Sequence, residues 1–241
     1  MSFHIDAEAF LQSQCTRVDL QDLFFLEKAP CDLLYNNLGH REYLRRKGEK
    51  IDKTFFIDSL KKELTSVYIR KGEENEIIDA VFASVTMLGR KIGQESVLNF
   101  AKKILHFMTI FQKHLYQQPL SDDLINYQTV SFKIWITFIN KHSNSKLREI
   151  FQSTFNGPYE HQFIKNIVGA TIIYKLTRQE QLFSEPFCQN MAISGLFSEI
   201  GASLLRRGNI NFNEGTKSKI YKYRSEEHTS ELQSPDHLVC R

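Results

Sequence analysis

The chain has 241 residues, a formal net charge of +3 and a 41% share of hydrophobic residues, including 19 phenylalanines. Its small basic excess is spread along the chain, whereas a nucleic-acid-binding surface needs clustered basic residues, so this class of partner is excluded. No stretch approaches the ~20 apolar residues that cross a bilayer. Residues 1–10 lack the basic segment and apolar run of a secretory signal.

Cysteine usage indicates a reducing compartment. Cys15, Cys31 and Cys188 are scattered, and none belongs to a CxxC pair. Neither a disulfide framework nor a zinc site is therefore predicted. We expect an intracellular, cytoplasmic protein.

The N-terminal part of the chain predicts a small module with strands. Residues 1–30 form a weakly amphipathic lead-in that ends at Pro30, and residues 31–72 follow as a ββαβ module. Asn and Gly at 36–39 tolerate positive φ and favour a turn between the first two strands. The predicted elements are strands over 31–35, 41–47 and 66–70 and a helix over 54–64.

From residue 73 onward the apolar residues recur at helical spacing. Gly89 and Gly93 are expected to divide the first long helical stretch, and Ser121 is expected to cap the next helix. The predicted helices cover 77–118 in two parts, then 121–140, 146–155, 159–177, 184–207 and 216–223. The predicted fold class is α+β, with the small module followed by an all-α domain.

The last segment, residues 224–241, is predicted to be non-native. It reads RSEEHTSELQSPDHLVCR. Its back-translation, beginning AGATCGGAAGAGCACACGTCTGAA, resembles the adapter that is ligated to DNA fragments for short-read sequencing. A genuine polar tail is the alternative. We exclude the segment from fold prediction and expect the natural sequence to continue differently after Tyr223.

Two helical segments carry a family resemblance. Tyr159-Glu160-His161 opens one predicted helix, and residues 195–201 (GLFSEIG) lie inside another. Together they resemble the HD-type metal-dependent phosphohydrolases, and within those the HD-GYP branch of cyclic-dinucleotide signalling proteins. In that family a metal-ligand His starts a helix, and a segment of the form G-L-hydrophobic-H-D-I-G follows about one helix later.

The N-terminal module is similar to the small domain that precedes some HD-GYP domains. The matching parts are DLLY at 32–35, KGE at 47–49 and VYIRK at 67–71. The resemblance implies a helical connector or sensor region over 73–145. It also implies a partial HD-GYP-like domain over 146–223, an HD-type helical domain that is incomplete at its C-terminus.

The chain departs from the family at the residues that would hold metal. Ser198 stands where the family has His, and Glu199 stands where it has Asp. A serine hydroxyl is a poor ligand for iron or manganese, and the longer glutamate displaces its carboxylate by about 1.5 Å. The resemblance leaves His161 and Glu199 as candidate metal ligands and implies no confident catalytic residue.

Each of these two candidates has an alternative structural explanation. His161 can cap its helix or pack against Tyr159. Glu199 can form an ion pair with Arg206 or Lys165. The other native histidines, including His106 and His114, are interpreted as surface or core residues because none has a carboxylate partner at ligand spacing.

Three functions remain open from the sequence. The first is a signalling protein with a degenerate, non-catalytic HD-GYP-like domain that binds a protein partner, another copy of itself or a cyclic dinucleotide. The second is an active phosphodiesterase of cyclic dinucleotides, using divalent iron or manganese and ligands from beyond the sequence. The third is a metal-free HD-related scaffold. No cofactor is expected for this sequence itself, and an incomplete domain should expose apolar residues such as Leu196, Leu204 and Leu205.

Overall fold

The computed structural model describes residues 14–37, 40–118, 121–155 and 161–198. The chain divides after Leu196 into two units. The described residues belong to the first unit, apart from residues 197 and 198, which begin the second. The predicted helix over 216–223 and the segment 224–241 lie outside the described residues.

Four antiparallel strands form the N-terminal sheet. They are β1 Cys15–Asp19, β2 Leu33–Asn37, β3 His40–Arg45 and β4 Ser66–Arg70, in the spatial order β1-β4-β2-β3. The β1–β4 register runs from Cys15 opposite Arg70 to Asp19 opposite Ser66. Val67 and Ile69 in β4 are fully buried, whereas Ser66, Tyr68 and Arg70 are more exposed. This alternation is typical of a sheet that packs one face on the core.

The first of these strands was not predicted. β1 lies inside the segment that the sequence suggested was an amphipathic lead-in, and a 3-10 helix follows it at Leu20–Leu23. Its five residues, CTRVD, contain few apolar side chains. β1 is a strand because it pairs along its whole length with β4, a partner about fifty residues away.

The helix of the module is shorter than predicted. α1 spans Lys53–Lys61, and Asp52 caps it by accepting hydrogen bonds from the backbone N–H groups of Thr54 and Phe55. Two residues after the helix, Glu63 adopts a φ of 56°. This left-handed conformation terminates helices and explains why α1 does not reach residue 64.

In the part of the chain that the structure describes, six further helices follow the sheet, which confirms the predicted α+β class. As predicted, the first long helical stretch is divided, and Gly93 between its halves has a φ of 93°. Ser121 caps α4 through the backbone N–H of Leu124, also as predicted. The helices are α2 Glu74–Arg90, α3 Val97–Gln117, α4 Asp122–Ile139, α5 Asn144–Phe155, α6 His161–Gln179 and α7 Glu185–Leu196.

The core is built around α3, which packs against α2, α4, α5 and α6. Phe100 on α3 stacks on Phe138 of α4 with ring centroids 4.5 Å apart. Trp135 is fully buried, and its indole N–H donates to the Thr171 hydroxyl at 2.9 Å, which satisfies its polar atom. The central helix therefore holds α2, α4, α5 and α6 together.

The prediction that Leu196 is exposed is wrong, because the residue is only 2% exposed. Leu204 and Leu205 lie outside the described residues. Apolar side chains are nonetheless exposed nearby on α6, on α7 and between them: Ile172, Leu176, Leu182, Phe183, Phe187 and Met191. Among the described residues, none of the helices combines the length and the apolar character that a membrane crossing requires.

Candidate functional site

The structure describes two of the three residues of the predicted metal site, His161 and Ser198. His161 is the first residue of α6. Ser198 is exposed on the turn that follows α7. Glu199 lies outside the described residues, as does Arg206, so the predicted ligand pair and the alternative ion pair both stay predictions.

The donor atoms at these positions do not fit a metal site of the family's type. The Ser198 hydroxyl replaces an imidazole nitrogen, and iron and manganese sites rely on His and carboxylate ligands. Within the described ranges, moreover, no group of three or more His, Cys, Asp and Glu side chains is close enough to hold an ion.

The two helices that carry the motifs are tightly joined. Tyr174 on α6 donates to the Glu185 carboxylate at 2.7 Å, and Arg178 forms an ion pair with the same residue at 2.8 Å. Although burial opposes it, hydrogen bonds from Tyr174 and Gln189 lower the pKa of the Glu185 carboxyl. The first residue of α7 is thus held by the last turns of α6.

The motif glycine at 195 has a structural role in this helix pair. A Cβ atom at Gly195 would lie 2.5 Å from the Cδ1 of Ile173 on α6. Gly169, by contrast, is a helical glycine on α6 with no atom within 4 Å of the corresponding point. A small side chain there would displace only the end of the Ile173 side chain, since the nearest backbone atom, the Cα of Ala170, is 4.0 Å away, so the close approach of α6 and α7 disfavours a large residue at 195 without requiring glycine.

Substitutions at the two glycines should have opposite effects on stability. Gly169→Ala is expected to raise the free energy of unfolding by about 0.5–1 kcal/mol, because alanine favours the helix and meets open space. Gly195→Leu is expected to lower it by about 2–3 kcal/mol, because the side chain overpacks the α6–α7 contact. Urea denaturation of both variants tests this, and equal tolerance at the two positions would contradict it.

The three motifs of the N-terminal module meet at one side chain. Asp32, from DLLY, accepts from the backbone N–H of Lys47 at 3.0 Å and pairs with Arg70 at 3.3 Å. Lys47 in turn forms an ion pair with Glu76 on α2 at 2.7 Å. These sequence motifs therefore join the strands to one another and to the helical domain.

A second polar cluster, which sequence reasoning missed, joins the sheet to α3. Lys113 donates to Asp19 at 2.5 Å and to Asp22 at 2.7 Å, and the side chains of Lys113 and Asp22 are only 14% and 8% exposed. Although burial opposes it, the hydrogen bonds to both carboxylates raise the pKa of Lys113. The sequence feature that could have indicated this cluster is the presence of Asp19 and Asp22 in an otherwise apolar segment.

Burial shifts the pKa values of two histidines and one cysteine in the described core. Burial lowers the pKa of His106 and of His114 to about 4, so both are neutral at pH 7. Burial, together with the nearby Glu73 and Glu76, raises the pKa of the Cys31 thiol to about 12. Such a thiol is not a nucleophile at neutral pH.

Among the described residues, two open cavities lie where the sheet module meets α2 and α3. The two cavities, of about 410 Å³ and about 650 Å³, share the residues Phe25, Leu26, Glu27, Lys28 and Lys103 in their walls. Lysine is the commonest charged residue in these walls. The five lysines are Lys28, Lys50, Lys53, Lys91 and Lys103. We call the two cavities together the lysine cleft.

Comparisons with known proteins point to one fold. No family model and no curated protein matches the chain. The solved structure of Bd1817, described as an HDG"Y"P protein from Bdellovibrio bacteriovorus, is similar with a TM-score of 0.51 and 13% sequence identity. The match covers 78% of this chain and 60% of that one. The likeness supports an HD-GYP-like fold, and the chain spans about three fifths of the length of the protein it matches.

Proposed function

We propose that this chain is an HD-GYP-like signalling protein whose helical domain binds a protein partner or a nucleotide and does not hydrolyse it. The observation that carries the proposal is Ser198, which stands where the family's motif has its metal-binding His. Glu199 beside it replaces the Asp. The fold likeness to an HDG"Y"P protein supports the HD-GYP-like architecture on which the proposal rests.

The chemistry of hydrolysis explains why these two changes matter. In a metal-dependent phosphohydrolase the bound ion lowers the pKa of water and so creates the nucleophile. His161 and Glu199 supply one nitrogen and one displaced carboxylate, which is too few well-placed donors to hold a catalytic ion. Binding without turnover is the function that the remaining groups allow.

The binding half of the proposal is supported by the exposed apolar face on α6 and α7. Leu176 is 57% exposed and Leu182 is 87% exposed. Phe183 and Phe187 stack on each other with centroids 4.7 Å apart, yet each remains about 40% exposed. Large exposed apolar side chains that pack on one another, as Phe183 and Phe187 do, are typical of protein contacts. Three buried cysteines in the thiol state favour a reducing compartment and hence the cytoplasm.

Metal content and turnover test the proposal. We expect the protein, purified in the longest natural form of its gene, to retain less than one equivalent of iron or manganese and not to cleave cyclic diguanylate. The double substitution Ser198→His with Glu199→Asp restores the family's pair and is expected to raise metal retention. A wild-type protein that binds about two equivalents and cleaves the dinucleotide would overturn the proposal.

A further inference from the structure

The lysine cleft is a concave site with an excess of positive charge and an aromatic wall. We propose that it binds a small organic phosphate that carries a planar ring, of the nucleoside phosphate class. The site lies between the sheet module and the first two long helices. The site includes none of His161, Ser198 and Glu199. The proposal for it is therefore independent of the function proposed above.

The charges of the cleft are unevenly compensated. Five lysines face three carboxylates, those of Glu27, Asp52 and Glu95. Asp52 caps α1 through one oxygen and pairs with Lys50 through the other at 4.0 Å, and Glu95 accepts from Lys103 through both oxygens, at 2.8 and 2.9 Å. Lys28, Lys53 and Lys91 have no ion pair among the residues that the structure describes. An anion is the ligand that this balance favours.

The backbone brings two of the lysines together. Lys28 and Lys50 are opposite each other in an isolated antiparallel bridge. Side chains in that relation have Cβ atoms about 5 Å apart, and like charges placed there are destabilising. A phosphate between the two ammonium groups would convert this repulsion into charge-assisted hydrogen bonds. The repulsion is small, because Lys50 is largely exposed and lies 4.0 Å from Asp52, and a phosphate between the two ammonium groups would remove it.

An aromatic wall lies beside these charges. Phe25 is one of the residues shared by both cavities, is 39% exposed, and has a φ of 68°. Its ring contacts His106 edge-on at 5.4 Å. A positive φ at a phenylalanine costs on the order of 1–2 kcal/mol, and such strain occurs preferentially at ligand sites. The exposed ring offers a stacking surface for a planar group.

The wall that carries Phe25 and Lys28 is held in place before any ligand arrives. The backbone N–H of Ile51 donates to the Glu27 carbonyl at 3.0 Å, and that of Ala29 donates to the Glu49 carbonyl at 2.8 Å. Opposite this wall, α2 contributes the small residues Ala80, Ala83 and Ser84, which leave room between the elements. The volume of each cavity lies within the range of small-molecule sites.

Calorimetric titration with ADP, pyrophosphate and adenosine tests the proposal in 0.15 M salt. We expect ADP to bind, pyrophosphate to bind about tenfold more weakly because it lacks the ring, and adenosine to bind still more weakly. Lys28→Ala combined with Lys50→Ala is expected to weaken ADP binding at least about tenfold. The same double variant should melt at a slightly higher temperature without ligand, because the opposed charges are gone.

Lys102→Ala is the matched control, because Lys102 is exposed on α3 beside Lys103 but does not line either cavity. It should leave ADP affinity unchanged. A second variant, Phe25→Gly, removes the ring at a position where glycine adopts the same φ without strain, and it should reduce the preference for ADP over pyrophosphate. The proposal is overturned if the wild-type protein binds none of the three probes. It is also overturned if Lys102→Ala weakens ADP binding as much as the double variant does, or if pyrophosphate binds as tightly as ADP.

Discussion

Replacing Lys113 by methionine is expected to lower the free energy of unfolding by about 3 kcal/mol. The substitution keeps the length of the side chain but removes the ammonium group that lies between Asp19 and Asp22. Asp22 is only 6% exposed, so its carboxylate would lose the cation that compensates its burial. Breaking a buried pair by removing one partner typically costs 3–5 kcal/mol, and the partial exposure of Asp19 places this case at the lower end.

Urea denaturation at pH 7 measures the loss, and Lys102→Met serves as the control. Lys102 is exposed on the same helix, so its replacement should change stability by no more than about 0.5 kcal/mol. Introducing Lys113→Met into an Asp22→Asn background should cost clearly less than it does in the wild type, because the pair is already broken. A loss below about 1 kcal/mol in the wild-type background would show that the cluster is not coupled to folding.

The alkaline behaviour of this lysine follows from the sign of its pKa shift. The folded-state pKa of Lys113 is raised above the unfolded value of about 10.4. Its contribution to stability is therefore complete below that unfolded value and is lost as the pH rises through the folded pKa. The difference between wild type and Lys113→Met should be the same at pH 7 and at pH 9.

The Lys113 cluster shows why part of this fold could be predicted from the sequence and part could not. Helices were predictable because their apolar spacing is local: Phe100, Ile104, Phe107 and Phe111 mark the buried face of α3 within twelve residues. The Lys113–Asp19 contact joins residues that are 94 positions apart. Nothing near either residue in the sequence indicates the other.

The same distinction applies to the sheet and the sites. β1 was missed because it depends on its pairing with β4, whereas the ββαβ order that follows it was predicted from turns and β-branched runs. The lysine cleft was missed because segment 25–28, α2 and the loop near Lys50 meet only in the folded chain. His161 and Glu199 were singled out by resemblance alone, and their roles as ligands stay predictions.

The polar contacts between the sheet and the helices have a common consequence for the lysine cleft. Lys113 joins the sheet side to α3, Lys47 joins it to α2 through Glu76, and Thr16 donates to Glu74 at the start of α2. Each of these links spans the same junction that the cleft occupies. A ligand in the cleft would therefore contact elements whose relative position is already fixed, which favours binding because little ordering remains to be done.

Stability is expected to fall steeply as the pH is lowered from about 6.5 toward 4, because of two histidines. The pKa of His106 and that of His114 are each lowered to about 4 by burial, from a usual value near 6.5. Between these pH values the unfolded chain binds protons that the folded chain does not, so stability rises with pH across the window and is lost as pH falls. Each histidine should account for a loss on the order of 2–3 kcal/mol by pH 4.

Between pH 5 and 6.5 the contribution of the two histidines to stability can be measured apart from that of the carboxylates. Hydrogen bonds lower the pKa of Asp52 and, against the effect of burial, that of Glu74, so any loss of stability from these groups occurs at lower pH. Urea denaturation across the window should show unfolding coupled to the uptake of nearly two protons. His106→Phe combined with His114→Gln should flatten the dependence, because neither replacement titrates there. Proton NMR of the folded protein provides the decisive measurement: if the signals of both histidines titrate near pH 6.5, their burial does not control the acid stability of the fold.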